Sequence, residues 1–342
     1  MPALAVLTEQ LVAPVPGGTG RYTRELTAAL AAAAPEGWRV EGRTAWRRDT
    51  GPAAIPGIRT RRLPLPRRAL TLAWERGLPP RPRADSLHAP TPLAPDGAVV
   101  TVHDTVPYTH PETLTPRGVV WHRRMIERAV TRARAVVVPT HAVAEELARF
   151  APGPAPVHVI GHGVTALPTA DVDLGLPREY VLAVGTVEPR KGLDVLVEAM
   201  PAVGLPLVVA GPPGWGNVDL RALAARSGAE VHVLGRVTDA ELGAALRGAA
   251  VLAVPSRAEG FGLPLLEAMA EGVPVVHSDA PALVEVAAGT GVVARRDDPH
   301  DLARAVRAAL ESPDERVTRA RARAAEFTWA RAAARVWAVH LE

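Results

Sequence analysis

The chain has 342 residues, 48% of them hydrophobic, which is enough apolar material for two packed domains of roughly 150 residues each. It contains no cysteine, so a disulfide framework and thiol chemistry are excluded. No apolar run reaches the ~18 residues of a membrane span, and the first residues do not resemble a signal peptide. We therefore expect a cytoplasmic protein, with peripheral contact at the inner face of a membrane left open.

Nine short apolar runs predict buried strands, and amphipathic stretches predict helices between them. The strands are Ala3–Leu7, Val99–His103, Ala135–Pro139, Val157–Ile160, Val181–Val184, Leu207–Ala210, Val231–Leu234, Val251–Val254 and Pro274–His277. The helices are Tyr22–Ala34, Val119–Thr131, Ala142–Phe150, Leu193–Met200, Leu220–Ser227, Asp239–Arg247, Leu263–Glu271 and Pro299–Leu310. This alternation predicts an α/β fold of parallel sheets covered on both faces. Residues 47–95, rich in Pro and Arg, predict one or two irregular strands with long loops.

One interruption divides the series into two Rossmann-like, doubly wound domains. Residues 161–178 carry prolines and glycines without periodicity, which is typical of a linker. We predict domains at residues 1–165 and 166–320, followed by a C-terminal helix at 321–342 that packs back across the domains. The helical pattern of this tail is unbroken over Val317–His340.

The formal net charge of +3 is unevenly distributed along the chain. Residues 1–165 hold 21 arginines and 13 acids, a net +8, whereas residues 166–342 hold 18 basic and 23 acidic residues, a net −5. A basic first half suits an anionic acceptor or an anionic membrane face, and arginines scattered over a solvated surface would give the same count. We expect no nucleic-acid partner.

Lys191 is the only lysine among the 39 lysines and arginines, so the other 38 are arginines. Where arginine serves almost everywhere, the remaining lysine indicates a position that needs a compact ammonium rather than a planar guanidinium. Lys191 follows Arg190 at a predicted strand-to-helix turn, where open α/β sheets bind phosphates. Taken alone, a surface lysine retained by chance is an equal alternative.

The densest cluster of functional signals follows a predicted buried strand. Gly260 and Gly262 allow tight turns and close ligand approach, and Phe261 between them is one of three phenylalanines. Glu259 and Glu267 are eight residues apart, one on the loop and one on the following helix. Carboxylates so placed can accept hydrogen bonds from the hydroxyl pairs of a sugar or a ribose, although acids at a helix start also suit the macrodipole.

Together with Lys191, this stretch resembles the retaining glycosyltransferases of family 4, which have the GT-B fold. It reads E-G-F-G-L-P-L-L-E-A-M-A-E-G-V-P-V-V from Glu259, and the resemblance covers essentially the whole chain, most strongly residues 181–300. The resemblance implies that Glu259 holds hydroxyls of the donor sugar and that Glu267 holds the ribose. It also implies that Arg190 and Lys191 grip the diphosphate of a nucleotide-sugar donor.

The resemblance assigns further donor contacts in the second half of the chain. The main-chain N–H groups of Gly260, Phe261 and Gly262 would lie beside the sugar and the phosphates. Arg236, which follows another predicted strand, is a candidate for contact with the base, and a simple surface arginine is an equal alternative.

Two segments of the first half extend the resemblance. Gly17 and Gly18 lie in Ala13–Tyr22, which resembles the family's glycine-rich loop and would approach the diphosphate or the acceptor; an ordinary strand-to-helix turn is the alternative. His103 ends a predicted strand and begins a segment that resembles H-D-x-x-P-x-x-H-P-E of mannosyltransferase-like members. By resemblance His103 faces the donor sugar near the reacting carbon, and the alternative is a structural histidine in the cleft wall.

The triplet Asp171-Val172-Asp173 has the spacing that metal-dependent glycosyltransferases of the other major fold use to bind Mn²⁺. It lies in the predicted linker with no buried strand before it, and Arg190 and Lys191 can neutralise a diphosphate without a cation. We therefore predict no metal and no cofactor, with the nucleotide diphosphate sugar as a co-substrate.

These features predict a nucleotide-sugar-dependent glycosyltransferase in which residues 166–320 bind the donor and residues 1–165 the acceptor, with the two domains facing a cleft. The resemblance implies that it is a retaining enzyme. The family's account of retention is front-side attack, in which the leaving phosphate takes the acceptor's proton. The segment from His103 favours GDP-mannose, with a UDP-hexose as the alternative, and the acceptor is a glycan, a lipid or a natural-product scaffold. A sugar-nucleotide epimerase and a non-catalytic sugar-nucleotide-binding subunit on the same fold remain open.

Overall fold

The computed structural model describes residues 1–170, 172–311 and 314–342. The chain divides into two compact units: unit 1 comprises residues 1–108, 117–163 and 327–342, and unit 2 comprises residues 109–116 and 164–326. Residues 109–116 therefore belong to unit 2, although the residues on either side of them belong to unit 1. Residues 327–342 belong to unit 1, although the preceding residues belong to unit 2. The predicted domain boundaries at residues 165 and 320 remain predictions.

Unit 1 contains a seven-stranded parallel sheet in the order β3-β2-β1-β4-β5-β6-β7. Its strands are β1 (Ala3–Leu7), β2 (Arg39–Thr44), β3 (Arg59–Arg62), β4 (Ser86–Ala89), β5 (Val99–Thr101), β6 (Ala135–Val138) and β7 (Val157–Val159). The helices of this part of the chain are α1 (Gly17–Ala32), α2 (Arg67–Glu75), α3 (Val106–Thr109), α4 (Pro116–Arg132), α5 (His141–Phe150) and, at its end, α13 (Trp329–Leu341). Short 3-10 helices cover Glu9–Val12, Gly51–Ala53 and Pro111–Thr113.

The two faces of this sheet bury separate hydrophobic clusters. Successive residues of β1 point to opposite faces, so Leu4 and Val6 enter one cluster while Ala5 and Leu7 enter the other. Side chains of α1 and α13 complete the first cluster, and side chains of α2, α4 and α5 complete the second. Both faces are covered, as the apolar strands predict.

Unit 2 contains a six-stranded parallel sheet in the order β10-β9-β8-β11-β12-β13. Its strands are β8 (Val181–Val184), β9 (Leu207–Ala210), β10 (Val231–Gly235), β11 (Val251–Val254), β12 (Val275–Ser278) and β13 (Val292–Ala294). Its helices are α6 (Leu193–Val203), α7 (Leu220–Ser227), α8 (Asp239–Gly248), α9 (Leu263–Glu271), α10 (Pro281–Ala287), α11 (Pro299–Glu311) and α12 (Asp314–Ala324), with a 3-10 helix at Pro189–Lys191. The two parallel-sheet α/β units confirm the predicted fold class.

The sequence pattern did not predict β2 or β13, and it expected one or two strands within residues 47–95 without locating β3 and β4. Strand β2 reads RVEGRT; Arg39 is exposed, whereas Glu41 and Arg43 are buried and form an internal ion pair with Arg43 Nη2 2.6 Å from Glu41 Oε2. Strand β3 reads RTRR and is an exposed edge strand, where apolar residues are not needed. Residues 47–95 contain two strands, β3 and β4, within the predicted one or two, together with helix α2, which was not predicted.

Two predicted helix boundaries are also wrong. Helix α1 begins at Gly17 rather than Tyr22, because the amide of Gly20 donates to the carbonyl of Pro16 at 2.9 Å and adds a turn before the apolar pattern starts. The tail is two helices, α12 and α13, rather than one. The hydroxyl of Thr328 accepts from the Arg331 amide at 3.1 Å and so caps a new helix that packs in unit 1.

Residues 109–116 are anchored in unit 2. The indole Nε1 of Trp215 donates to the carbonyl oxygen of Thr113 at 2.7 Å. Residues 161–170 and 172–180 contain neither helix nor strand, which agrees with the predicted connector. Across the described residues, no helix is long and apolar enough to cross a bilayer.

Candidate active site

Two loops flank the point where the strand order of unit 2 reverses. Successive strands run from β8 towards one edge of the sheet and from β11 towards the other. The loop of residues 185–192 follows β8, the loop of residues 255–262 follows β11, and both leave carboxyl ends of parallel strands. Open α/β sheets bind ligands at such a switch point, so the fold places both loops where a binding site is expected.

A glycine in the left-handed conformation ends each loop and begins a helix. Gly192 has a φ of +62° before α6, and Gly262 has a φ of +91° before α9. A Cβ on Gly192 would lie 2.2 Å from the carbonyl oxygen of Pro255, so a side chain does not fit there. No described side chain caps either helix at its first residue, so the first-turn N–H groups remain available to an anion.

Glu259 joins the two basic residues of the first loop. Its Oε1 lies 2.6 Å from Lys191 Nζ, and its Oε2 lies 3.1 Å from Arg190 Nη1. Ser256 Oγ donates to the same Oε1 at 2.8 Å. The side chains of Glu259, Lys191 and Arg190 are only 9%, 15% and 17% exposed, so the structure brings three of the predicted residues together in a largely buried ionic cluster.

Further ion pairs and hydrogen bonds hold this cluster in place. Glu188 is buried, and its Oε1 lies 2.7 Å from Arg190 Nη2. The amide of Arg257 donates to the carbonyl of Arg190 at 2.8 Å, while its guanidinium pairs with Asp194 at 2.8 Å and with Asp297 at 2.7 Å. These bonds tie both loops to the start of α6. The residue-based prediction missed Glu188 and Arg257, although both are charged residues directly beside the predicted ones.

The two carboxylates of the cluster have opposite pKa shifts. Burial by itself raises the pKa of Glu259, but the charges of Lys191 and Arg190 and the hydrogen bonds to the carboxylate lower it to about 2. Burial raises the pKa of Glu188 above its ordinary value, even though Arg190 and Lys191 oppose that shift. Glu259 is therefore fully ionised at neutral pH and holds both cations in place.

The remaining predicted donor residues lie around this cluster in unit 2. Glu267 is on α9 and only 3% exposed, and Gly260 and Phe261 are buried in the loop that leads into that helix. Arg236 is exposed after β10, which lies two strands from β8. Because neighbouring strands are about 4.8 Å apart, Arg236 begins roughly 10 Å from the loop after β8.

The predicted residues of unit 1 lie at the carboxyl ends of β1 and β5. Gly17 and Gly18 form the exposed first turn of α1 rather than a loop. His103 Nε2 donates to the carbonyl oxygen of Pro90 at 2.8 Å, so its Nδ1 is the acceptor nitrogen. Burial lowers the pKa of His103, and the imidazole is neutral at physiological pH.

Among residues 1–170, 172–311 and 314–342, no group of three or more His, Asp or Glu side chains could hold a metal ion. Asp171 of the predicted Asp-Val-Asp triplet lies outside the described residues. Metal independence therefore stays a prediction.

Two family descriptions match consecutive parts of the chain. "Glycosyltransferase Family 4" matches residues 16–166, and "Glycosyl transferases group 1" matches residues 170–327. The phosphatidyl-myo-inositol mannosyltransferase of Propionibacterium freudenreichii is 33% identical over 264 residues, which cover 72% of this chain and 67% of that protein.

The chain belongs to the family 4 glycosyltransferases of the GT-B fold. The O-antigen chain mannosyltransferase B of Escherichia coli is 35% identical over 161 residues, which cover 44% of this chain and 42% of that protein. With other mannosyltransferases and a related glycosyltransferase the match likewise spans about half of the relative's length.

The fold of this family 4 chain also matches a solved structure over its full length. The sucrose-phosphate synthase of Thermosynechococcus elongatus superposes with a TM-score of 0.78 over 100% of this chain and 98% of that one, at 22% sequence identity. At this identity the likeness shows the GT-B fold alone. It confirms the predicted architecture of two doubly wound units.

Proposed function

We propose that this protein is a retaining, metal-independent glycosyltransferase that moves mannose from GDP-mannose to an acceptor. The observation that carries the proposal is the ionic cluster of Lys191, Arg190 and Glu259 at the switch point of unit 2. It combines two cations, two uncapped helix N-termini and a fixed carboxylate. This combination suits a diphosphate that carries a sugar.

In the proposed chemistry, these cations stabilise the negative charge that develops during the reaction. The bond between sugar C1 and the diphosphate oxygen breaks, and charge builds on the leaving phosphate. Lys191, Arg190 and the N–H groups that begin α6 and α9 stabilise that charge. In front-side attack, the acceptor hydroxyl oxygen bonds to C1 from the side of the leaving group and its proton passes to the leaving phosphate oxygen, which gives retention without a covalent nucleophile.

Glu259 has a second role in this proposal. Its carboxylate accepts from Lys191, Arg190 and Ser256, which fixes its position and leaves lone pairs for hydroxyls of the donor sugar. Glu267 on α9 is assigned to the ribose, and Arg236 to the base. His103 is assigned by resemblance to the transferred sugar, where neutral Nδ1 would accept a hydrogen bond from a hydroxyl.

The choice of mannose follows from two kinds of support. The segment from His103 resembles that of mannosyltransferase-like members, and the two relatives described above are both named as mannosyltransferases. A UDP-hexose is the alternative donor. No cofactor is needed besides the donor, because the two basic side chains replace the charge of a cation.

An anionic acceptor or membrane face is supported by one segment of unit 1. Residues 39–83 contain twelve arginines and three acids, a net +9, whereas the whole chain is +3, so all other residues together are −6. A general preference for arginine would not leave the rest of the chain negative. Arg48, Arg59 and Arg68 are exposed, and Trp46 beside them is 50% exposed, which suits a phosphate-bearing glycan, a lipid or an anionic membrane face.

One assay separates this proposal from its alternatives. Purified protein is incubated with GDP-mannose or a UDP-hexose, with and without acceptor extract, in excess EDTA. A transferase forms a product with retained anomeric configuration only when acceptor is present. An epimerase converts the donor without acceptor, and a non-catalytic binding subunit binds donor without turnover. Loss of transfer on chelation, restored by Mn²⁺, would contradict metal independence.

A further inference from the structure

Five buried polar side chains form a row through unit 1. Ser86 and His88 lie on β4, Thr101 on β5, Tyr22 on α1 and His340 on the C-terminal helix α13. Each is at most 6% exposed. A buried polar group is costly unless it is hydrogen-bonded, so such a row needs a physical reason.

Four hydrogen bonds join these side chains in series. The hydroxyl oxygens of Tyr22 and Thr101 are 2.9 Å apart, and Thr101 Oγ1 is 3.4 Å from His88 Nε2. His88 Nδ1 is 3.2 Å from His340 Nε2, and His340 Nδ1 is 2.7 Å from Ser86 Oγ. Within the described part of the chain, these five side chains make no other hydrogen bonds. We name this series the Tyr22–Ser86 chain.

The protons of the Tyr22–Ser86 chain can be ordered in three ways. Burial lowers the pKa of His88 to about 3 and that of His340 well below its ordinary value, so each imidazole is neutral and offers one donor and one acceptor. If donation runs from Tyr22 to Ser86, the serine hydroxyl proton lacks a partner. If it runs from Ser86 to Tyr22, the phenol proton lacks one. If Thr101 accepts from both Tyr22 and His88, the threonine hydroxyl proton lacks one.

The first order is favoured because its unpaired proton lies on Ser86, a weaker donor than the phenol and, at 6% exposed, less deeply buried than Thr101 at 0%. A phenol is more acidic than an aliphatic hydroxyl and is the stronger donor, and Tyr22 is the more deeply buried end, at 2% exposed against 6% for Ser86. In this order Thr101 donates to His88 Nε2. Both His88 and His340 then carry their proton on Nδ1.

Tyr22 connects this chain to His103. The two rings are in T-shaped contact, with centroids 4.7 Å apart and an interplanar angle of 88°. At its other end the imidazole is held by the bond from Nε2 to Pro90. The same helix that supplies His340 also supplies Trp329, whose ring centroid is 6.1 Å from that of Tyr22. His103 is therefore held between Pro90 and a tyrosine whose hydroxyl is itself fixed.

We propose that Tyr22, Thr101 and His340 are positioning residues for His103. The Tyr22–Ser86 chain fixes the phenol, and the phenol ring packs against the imidazole so that Nε2–H stays directed at the Pro90 carbonyl. The C-terminal helix thus helps to hold the ring orientation in which Nδ1 is left for a substrate hydroxyl. This inference rests on the role proposed above for His103.

Nitrogen-15 NMR of the full-length protein, labelled in histidine, tests the proposal directly. Long-range ¹H–¹⁵N correlations report which ring nitrogen carries the proton. We expect Nδ1–H for His88 and His340 and Nε2–H for His103. Nε2–H on His88 would overturn the proposed order. The readout needs no turnover, so it decides this inference even if the proposed transferase activity is absent.

Substitution of Thr101 tests the link to His103. Thr101→Val keeps the shape of the side chain and removes the hydroxyl from the middle of the chain. We expect His103 to populate both tautomers and turnover to fall roughly tenfold to a hundredfold, with the donor KM unchanged. Thr101→Ser, which keeps the hydroxyl, should restore both the single His103 tautomer and the turnover. The matched control is Thr27→Val, a fully buried threonine that donates to Thr23 within α1, which should leave the His103 tautomer unchanged.

Tyr22→Phe provides a second route if Thr101→Val does not fold. It keeps the ring beside His103 and removes only the terminal hydroxyl of the chain, so we expect the same mixed His103 tautomers. Pure Nε2–H on His103 in every folded variant of this pair would overturn the proposal.

Discussion

Lys191 is held by a carboxylate and by backbone at the same time. Its Nζ pairs with Glu259, while its Cε lies 3.2 Å from the position that a Cβ on Gly185 would occupy. We expect a planar guanidinium with five donors to replace this compact ammonium poorly. We expect Lys191→Arg to lose at least about tenfold in kcat, and Lys191→Ala to lose ~2–4 kcal/mol of transition-state stabilisation. Unit 2 of Lys191→Ala should stay folded but unfold at a lower temperature, because buried Glu259 loses one of its two cations. Wild-type kcat in the arginine variant would contradict a requirement for the ammonium.

The ionised carboxylate of Glu259 stabilises the folded protein, and this contribution depends on pH. Its pKa of about 2 in the folded protein lies below the unfolded value near 4.5, so ionised Glu259 stabilises the fold above about pH 4.5. This contribution is lost as the pH falls from there to about 2. Between pH 5 and pH 3 the unfolding free energy of the wild type should fall by about 2 kcal/mol more than that of Glu259→Gln. If the unfolding free energies of the two proteins depend equally on pH, the lowered pKa of Glu259 is excluded.

We expect Glu259 and Glu267 to have different roles, as they have different positions relative to helix α9. Glu259 lies on the loop before it and neutralises Lys191 and Arg190, whereas Glu267 is buried on the helix itself. We expect Glu267→Ala to weaken binding of GDP by ~1–3 kcal/mol, the cost of a lost charged hydrogen bond to ribose. Glu259→Ala should leave GDP binding equal or tighter, because two cations lose their partner, while it depresses transfer by orders of magnitude. Calorimetric titration decides; weaker GDP binding in Glu259→Ala than in Glu267→Ala would reverse the two roles.

Apolar strands were the elements most fully predictable from sequence. Four strands, including β8 and β11, have the predicted bounds, because buried parallel strands read as continuous apolar runs. Strand β2 could not be predicted, since its buried charges are paired with each other only in the folded sheet. The break between α12 and α13 also depends on tertiary packing, because a single helical period runs through both.

The candidate site was predictable where glycine and charge occur close together in sequence. Lys191, Arg190 and Glu259 followed from motif and spacing, and the fold brings them together although 68 and 69 residues separate the partners. The Tyr22–Ser86 chain could not be predicted. Its members come from four different elements, and although the C-terminal helix was expected to pack back across the domains, nothing in the sequence indicates that His340 meets Ser86 and His88.

At the scale of the whole molecule, the charge of residues 39–83 predicts salt-sensitive binding to anionic surfaces. We expect the protein to sediment with vesicles of phosphatidylcholine containing phosphatidylglycerol and not with phosphatidylcholine alone, and to dissociate as salt rises. Arg48→Gln, Arg59→Gln and Arg68→Gln together should weaken this binding at least about tenfold, at ~1 kcal/mol for each arginine near the surface.

A charge-matched control distinguishes this surface from overall charge. Arg304→Gln, Arg307→Gln and Arg319→Gln remove three exposed arginines from unit 2. If the two triple variants lose vesicle binding equally, the segment of residues 39–83 has no special role.

The central claim is that Lys191 and Arg190 in unit 2 bind the diphosphate of the donor. Calorimetric titration of wild type and Lys191→Ala with GDP and with guanosine tests it most directly, with UDP and uridine in parallel. We predict that Lys191→Ala weakens binding of the preferred nucleoside diphosphate by roughly tenfold to a hundredfold and leaves its nucleoside unchanged, because only the diphosphate meets the ammonium. Equal affinity of both proteins for the diphosphate would contradict the claim.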